Sequence, residues 1–229
     1  MAPIQESLSL IQWYYSYLQL VLYTDNLLKH EKIAPPTGQI IHKTGSHTGM
    51  ALDTQRIASI ITQIRANPTA KNVYGHLGYI SALKGVFGSF LDVYARSVTR
   101  RNYIKKTLGG QAEGYIIGMR VCRNLLTHQH TGHVHLRKYD QERLEEELQK
   151  TGKRIVSCSF HYADLFGKSW TGGKSYGFTM TINTTTFHTK RTVRDIVDEH
   201  TMYMLAESVN YLCEQHIKAQ WAREKKSGT

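Results

Sequence analysis

The sequence predicts a mainly helical protein with a small β-hairpin or sheet inserted near residues 154–188. Three observations carry this prediction. Apolar residues recur at helical spacing over most of the chain, Pro and Gly separate the periodic stretches, and one late segment is rich in β-branched and aromatic residues. The 229 residues are enough to bury a core without disulfides, so we expect a single domain over 1–229, with two small domains as the alternative.

The first helix is expected over Gln5–Glu31. Apolar side chains, among them Trp13 and Tyr14, cover most of its circumference. A helix that is apolar nearly all round is buried in a core or shared with a partner. The helix should end before Pro35, and a loop containing Gly and His is expected over 37–49.

Two further helical stretches are expected in the middle of the chain. Asp53 is placed to cap the second helix, and the Asn67-Pro68 pair should end it. The third stretch runs over 73–106, with a break expected at Gly85 or Gly88 because glycine weakens a helix interior.

The second half of the chain changes from helix to strand and back. A turn is expected at Gly109-Gly110, followed by a helix over 113–127 and a short charged helix over 140–150. The segment 154–188 is rich in Val, Ile, Thr, Phe and Tyr, with Gly at its turns, and predicts two or three strands. The last helix is expected over 193–225.

The charge of the chain points to a polyanionic partner. There are 29 Lys and Arg against 18 Asp and Glu, a formal net charge of +11. Nucleic acid is the polyanion that we expect, while anionic membrane and simple solubility are the alternatives. The most apolar stretch, Leu8–Tyr23, is interrupted by polar residues and is too short for a membrane span. We therefore expect no membrane association.

Cysteine usage and the N-terminus both predict a cytoplasmic protein. Cys122, Cys158 and Cys213 are odd in number and contain no CxxC pair. Neither a disulfide framework nor a cysteine zinc site is expected, and a reducing compartment is the default. The N-terminus lacks the basic and small-residue features of a secretory signal.

The most informative motif is Arg123-Asn124 followed by His128. RNA is cut when its 2′-hydroxyl attacks the neighbouring phosphate, and this needs a proton-transfer group near neutral pH, for which His is the usual choice. Arginine matches the geometry of the phosphate oxygens. Asn124 can hold a phosphate, a water or the arginine. These three residues are the candidate catalytic set, and the reaction requires no metal or cofactor.

The motif resembles the R-N-x-x-x-H signature of the HEPN superfamily. The resemblance implies a HEPN-like helical bundle, a metal-independent endoribonuclease and a role as a toxin or antiviral defence effector. It also implies a composite site at a homodimer interface and the possibility of a cognate antitoxin or regulatory protein. The β insertion near 154–188 is not part of the core family pattern.

Helix geometry independently favours a dimer. Positions 123 and 128 lie about 140° apart around a regular helix. A single chain must break the helix to bring the two side chains together, whereas a two-fold partner presents a second motif across the interface.

A histidine-rich segment overlaps the motif. His128, His130, His133 and His135 form H-x-H-x-x-H plus one further imidazole, which resembles the H-x-H-x-D-H signature of metallo-β-lactamase-fold hydrolases. Gly132 replaces the aspartate ligand of that family, and the preceding chain is helical rather than stranded. A zinc-dependent hydrolase is therefore the alternative, and an incidental loop or extra phosphate contacts are the other interpretations.

Basic residues elsewhere are the remaining candidates for contacts with RNA. They can follow phosphates beside stacking tyrosines, or they can be solvated surface. A non-catalytic RNA- or nucleotide-binding partner protein is accordingly a further alternative. The expected RNA-binding residues are Arg100, Arg101, Lys105, Lys106, His130, His133, Lys168 and Lys174.

Overall fold

The structure is a computed structural model of the chain. It describes residues 3–30, 33–43, 49–127, 155–163, 176–183 and 195–227, with single positions at 142, 146, 149 and 152. Within these ranges the protein is mainly helical, as predicted, and carries two small antiparallel hairpins.

The structure contains the predicted helical segments of the described ranges and the predicted late hairpin, together with one hairpin that was not predicted. The strands are β1 (Ile40–Lys43), β2 (Gly49–Leu52), β3 (Ile155–His161) and β4 (Gly177–Asn183). The helices are α1 (Pro3–Lys29), α2 (Thr54–Ala66), α3 (Pro68–Ser89), α4 (Val98–Leu108), α5 (Ala112–Thr127) and, as the last described helix, α6 (Glu199–Ser227).

The chain forms two compact units. One contains Met1–Tyr17 and Ile80–Thr229, and the other contains Leu18–Tyr79. We refer to them as the large unit and the small unit. The expectation of a single domain over 1–229 stays a prediction.

The small unit contains a hairpin that the sequence analysis missed. The segment 37–49 was expected to be a loop, but β1 pairs antiparallel with β2, with Ile40 opposite Leu52. Four-residue strands are too short to show a clear alternation of apolar and polar residues. The cap on α2 is confirmed, because the Asp53 carboxylate accepts a hydrogen bond from the Arg56 backbone N–H at 2.9 Å.

The break in the third helical stretch is not at a glycine. A Cβ at Gly85 on α3 would collide with the ring of Tyr14 on α1, so Gly85 allows these two helices to approach closely. The chain instead forms a π-helical turn at Phe90–Tyr94, in which Ala95 N–H donates to the Phe90 carbonyl at 2.7 Å. The prediction of a break at Gly85 or Gly88 is therefore wrong in position.

In the large unit, α5 packs against the β3–β4 hairpin. The strands pair antiparallel, with Cys158 opposite Met180, which confirms the predicted hairpin. Gly114 lies where a Cβ would overlap the Ser157 carbonyl oxygen, and Gly118 faces the end of the Met180 side chain. Two glycines four residues apart thus let one face of α5 lie directly on the hairpin.

Tyrosines form much of the core of the large unit while keeping their hydroxyls bonded. Tyr115 is fully buried, and its hydroxyl lies 2.7 Å from Ser208 Oγ. The Tyr162 hydroxyl donates to the Met204 carbonyl oxygen at 2.7 Å. Because both hydroxyls have hydrogen-bond partners inside the protein, the rings can be buried without leaving a polar group unsatisfied.

A buried histidine joins α6 to this aromatic core. The Tyr94 hydroxyl lies 2.5 Å from His216 Nδ1, and the Tyr103 ring stacks on the imidazole at 4.2 Å between ring centroids. Burial, and then the charges of Arg100 and Arg223, lower the pKa of His216 below its ordinary value. The imidazole therefore favours its neutral form more than an exposed histidine does.

Two of the predicted helices are only partly described or begin at a different residue. The charged helix predicted over 140–150 is described only at Glu142, Glu146 and Gln149, which are helical. The last helix begins at Glu199 rather than near 193. In the described part of the chain, no helix combines the length and the apolar character needed to cross a membrane.

Candidate functional site: an arginine-lined cleft

Arg123 lies on α5 and is oriented by a carboxylate that the sequence analysis did not identify. Its Nη1 donates to both oxygens of Asp92, at 3.0 and 3.1 Å. The side chain of Arg123 is 30% exposed and that of Asp92 is 52% exposed. The ion pair is thus open to solvent, and a bound anion can reach the guanidinium.

Asn124 provides a second contact for the guanidinium. Arg123 Nε donates to Asn124 Oδ1 at 3.1 Å. Of the three roles considered for Asn124, holding the arginine is the one that this contact favours. With Nε and Nη1 both engaged, the guanidinium plane is fixed on two sides before any ligand arrives.

Asp92 reaches Arg123 because of the π-helical turn. Asp92 is the middle residue of Phe90–Tyr94. The first and last residues of this turn have buried rings that stack on each other, with 5.5 Å between their centroids. The two rings anchor the turn in the core, and Asp92 is left on its exposed side. Turns of this kind occur frequently at functional sites.

Arg123 is one of four arginines that line a single cleft. The cleft has a volume of about 330 Å³. Three apolar residues and one carboxylate complete its wall. The lining residues are Leu91, Asp92, Ala95, Arg96, Arg101, Ile116, Arg120 and Arg123.

The cleft follows from local spacing on α5. Ile116, Arg120 and Arg123 are four and three residues apart, so they share one face of the helix. The opposite face carries Gly114 and Gly118 against the β3–β4 hairpin. Packing of that second face therefore turns the two arginines outwards.

The predicted RNA-binding residues on α4 lie in different environments. Arg101 is exposed and lines the cleft. Lys105 and Lys106 are exposed in the last turn of α4 but do not line it. Arg100 is only 6% exposed and lies over the Tyr94 ring at 5.3 Å. This geometry favours a packing role for Arg100 rather than contact with RNA.

The remaining predicted site residues lie outside the described residues. They are His128, His130, His133, His135, Lys168 and Lys174. In the ranges that the structure does describe, no group of three or more His, Cys, Asp or Glu side chains is arranged to hold a metal ion. The histidine-rich segment itself is not covered by that observation.

Among the charged residues of the cleft, Asp92, Arg96 and Arg120 were absent from the predicted catalytic and RNA-binding residues. The sequence offered a signal for Arg120, because it shares the helix face of Arg123. Arg96 lies two residues before α4, in a run of basic residues that continues on that helix with Arg100 and Arg101. Asp92 had no signal, since its partner is 31 residues away and the π-helical turn that presents it is not visible in the sequence.

The cysteines do not supply a nucleophile to this site. All three thiols are free and buried, including Cys122 beside Arg123. Burial raises the pKa of Cys158 to about 12 and raises that of Cys122 as well. Thiols held in the protonated form are poor nucleophiles.

Comparison with known proteins does not assign the chain to a family. No protein-family model, no curated protein and no solved structure matches it. The resemblance to HEPN ribonucleases therefore rests on the motif residues alone.

Proposed function

We propose that this protein is a metal-independent endoribonuclease of the HEPN type. The observation that carries the proposal is the position of Arg123. The one arginine of the R-N-x-x-x-H motif lies in a cleft with three other arginines, and Asp92 and Asn124 orient its guanidinium. Such a group is placed to bind a phosphate and to stabilise charge that develops on it.

The proposed reaction needs only side chains of the motif. A base removes the proton of the 2′-hydroxyl, the 2′-oxygen bonds to phosphorus, and the bond from phosphorus to the 5′-oxygen breaks as that oxygen receives a proton. His128 is the proposed proton-transfer group. Arg123 stabilises the phosphorane oxygens. The products are a 5′-hydroxyl and a 2′,3′-cyclic phosphate, or the 3′-phosphate that follows from its hydrolysis.

A cytoplasmic toxin or antiviral defence effector is the biological role that the resemblance suggests. An antitoxin or regulatory protein would then control the activity. Incubation of the purified protein with mixed RNAs, with and without EDTA, tests the chemistry. We expect cleavage in both conditions and 2′,3′-cyclic or 3′-phosphate ends. Cleavage that EDTA abolishes would favour the zinc-dependent alternative at the histidine-rich segment.

We further propose that the active form is a homodimer. Because α5 is regular up to Thr127, a helix continued by one residue would direct positions 123 and 128 about 140° apart. The part of helix α1 in the large unit supplies an apolar surface for a partner copy, since Trp13 is 72% exposed and Tyr17 is 44% exposed. Light scattering at micromolar concentration should give twice the chain mass. An active, strictly monomeric enzyme would contradict the composite site.

A non-catalytic RNA- or nucleotide-binding protein is the second candidate. The cleft favours it independently, because four arginines around a cavity are sufficient to bind phosphate without any proton-transfer group. RNA binding without cleavage, in the presence and absence of divalent metal ions, would support this candidate.

A further inference from the structure

The charges of the cleft are unbalanced. Four arginines and one carboxylate line it, and that carboxylate is paired with Arg123. Within the described part of the chain, Arg96, Arg101 and Arg120 have no acidic partner. Like charges gathered around one cavity repel one another, and an anion bound among them removes that repulsion.

The cleft is also larger than a site for a simple anion needs, and part of its wall is apolar. Its volume of about 330 Å³ lies at the lower end of the range of about 300–1,000 Å³ that holds small organic ligands. Leu91, Ala95 and Ile116 are the apolar residues among those that line it. A ligand that fills this space and matches both kinds of wall combines an anionic group with a ring that has a weakly polar face, such as a nucleobase.

We propose that the cleft binds one nucleoside phosphate, with Arg96, Arg101 and Arg120 as its phosphate-binding residues. Several guanidinium groups around one ligand favour a phosphate, whose oxygens accept paired N–H donors. The apolar wall accommodates the base or sugar. Asp92 retains acceptor capacity beyond its bonds to Arg123 and accepts from a ribose hydroxyl or a base N–H.

This inference rests on the proposed function and extends it from one residue to a substrate subsite. Arg123 acts on the phosphate that is cut, while the other three arginines hold a neighbouring nucleotide. The nucleotide is either part of an RNA strand or free. Both sources share the same chemistry, and the binding experiment separates them without requiring cleavage.

The experiment uses the full chain and ligands that cannot be cut. The four nucleoside 5′-monophosphates, their nucleosides, inorganic phosphate and a short 2′-deoxy oligonucleotide are each titrated, and binding is followed by thermal shift and calorimetry. A ligand at about 100 times its Kd should raise the Tm by about 5–10 °C. Nucleosides and inorganic phosphate should bind at least about tenfold more weakly than the phosphate-containing nucleotides.

Matched variants assign the binding to the cleft. Arg101→Gln and Arg120→Gln should each weaken nucleotide binding by about tenfold or more, since each removes a charged phosphate contact. Arg56→Gln, at an exposed arginine on α2 outside the cleft, should bind as the wild type does. Without ligand, the Tm of Arg101→Gln should not be lower than that of the wild type, because the exchange relieves repulsion. A clearly lower value would mean that Arg101 is structural and would overturn its assignment.

Each binding outcome decides the proposal. Tight binding of free monophosphates supports a nucleotide site, and binding of the oligonucleotide alone supports a site for a nucleotide within a strand. Equal affinity for inorganic phosphate, wild-type binding by both cleft variants, or no binding by any ligand would overturn it. If the wild-type protein binds nucleotides but does not cut RNA, the proposed ribonuclease activity is refuted while the proposed nucleotide subsite is supported.

Discussion

Replacing Asp92 by asparagine separates two effects that its carboxylate has on Arg123. The carboxylate fixes the guanidinium through two oxygens, and it also places a negative charge where a phosphate must bind. Asp92→Asn keeps the shape of the side chain and removes its charge. We therefore expect tighter binding of RNA together with slower cleavage of the bound RNA.

The magnitudes follow from the exposure of the pair. With side chains 30% and 52% exposed, the ion pair contributes less than about 1 kcal/mol to the free energy of unfolding. A carboxylate about 4–8 Å from a bound phosphate opposes binding by about 0.5–1 kcal/mol in water. Its removal should tighten binding about two- to sixfold. Loss of orientation of Arg123 should slow cleavage about tenfold.

Two assays measure these effects separately. Fluorescence anisotropy with a 2′-deoxy oligonucleotide gives the affinity, and single-turnover cleavage of the matching RNA gives the rate of the bound complex. Glu113→Gln, an exposed acid on α5 outside the cleft, is the control for charge alone. If Asp92→Asn cleaves bound RNA at the wild-type rate, Asp92 does not position Arg123, and the reasoning is wrong.

Two further predictions concern stability. Gly114→Ala should lower the free energy of unfolding by about 1–3 kcal/mol in chemical denaturation. The added Cβ would overlap the Ser157 carbonyl oxygen, which belongs to the backbone and cannot move aside as a side chain could. An unchanged free energy of unfolding would mean that α5 does not lie directly on β3. The pKa of His216 is lowered in the native state, so below pH 6.5 the unfolded state binds more protons than the native state does. The free energy of unfolding should therefore fall as the pH drops through 6.5, by at most about 1.4 kcal/mol per pH unit from this residue. Unfolding measured against pH should be flatter for His216→Phe, and an equal slope would exclude His216 as the source.

Local sequence signals were sufficient for most helices and for the hairpin of the large unit. The periodic apolar positions of α5 and the Asp53 cap of α2 are local, and both were predicted. The burial of Arg100 also had a local signal, since Arg100, Ile104 and Leu108 are spaced four residues apart on one face and all three are buried. Charge alone suggested the opposite environment for Arg100.

The parts that could not be predicted depend on contacts distant in the sequence or on departures from regular helix. The stretch Phe90–Tyr94 is indistinguishable from ordinary helix by apolar spacing, yet it forms the π-helical turn. The pair between Asp92 and Arg123 joins two segments 31 residues apart. The motif thus singled out Arg123, whereas the cleft that Arg123 lines could be described only from the fold.

The most direct test of the account is RNA cleavage by Arg123→Gln in the presence of EDTA, beside the wild type and Arg56→Gln. Removal of a group that stabilises developing charge on a phosphate typically slows the reaction by about 100- to 1,000-fold. We predict that the wild type and Arg56→Gln cut RNA in EDTA and leave 2′,3′-cyclic phosphate ends, while Arg123→Gln loses this activity with an unchanged circular dichroism spectrum. Wild-type cleavage by a folded Arg123→Gln variant would contradict the central claim.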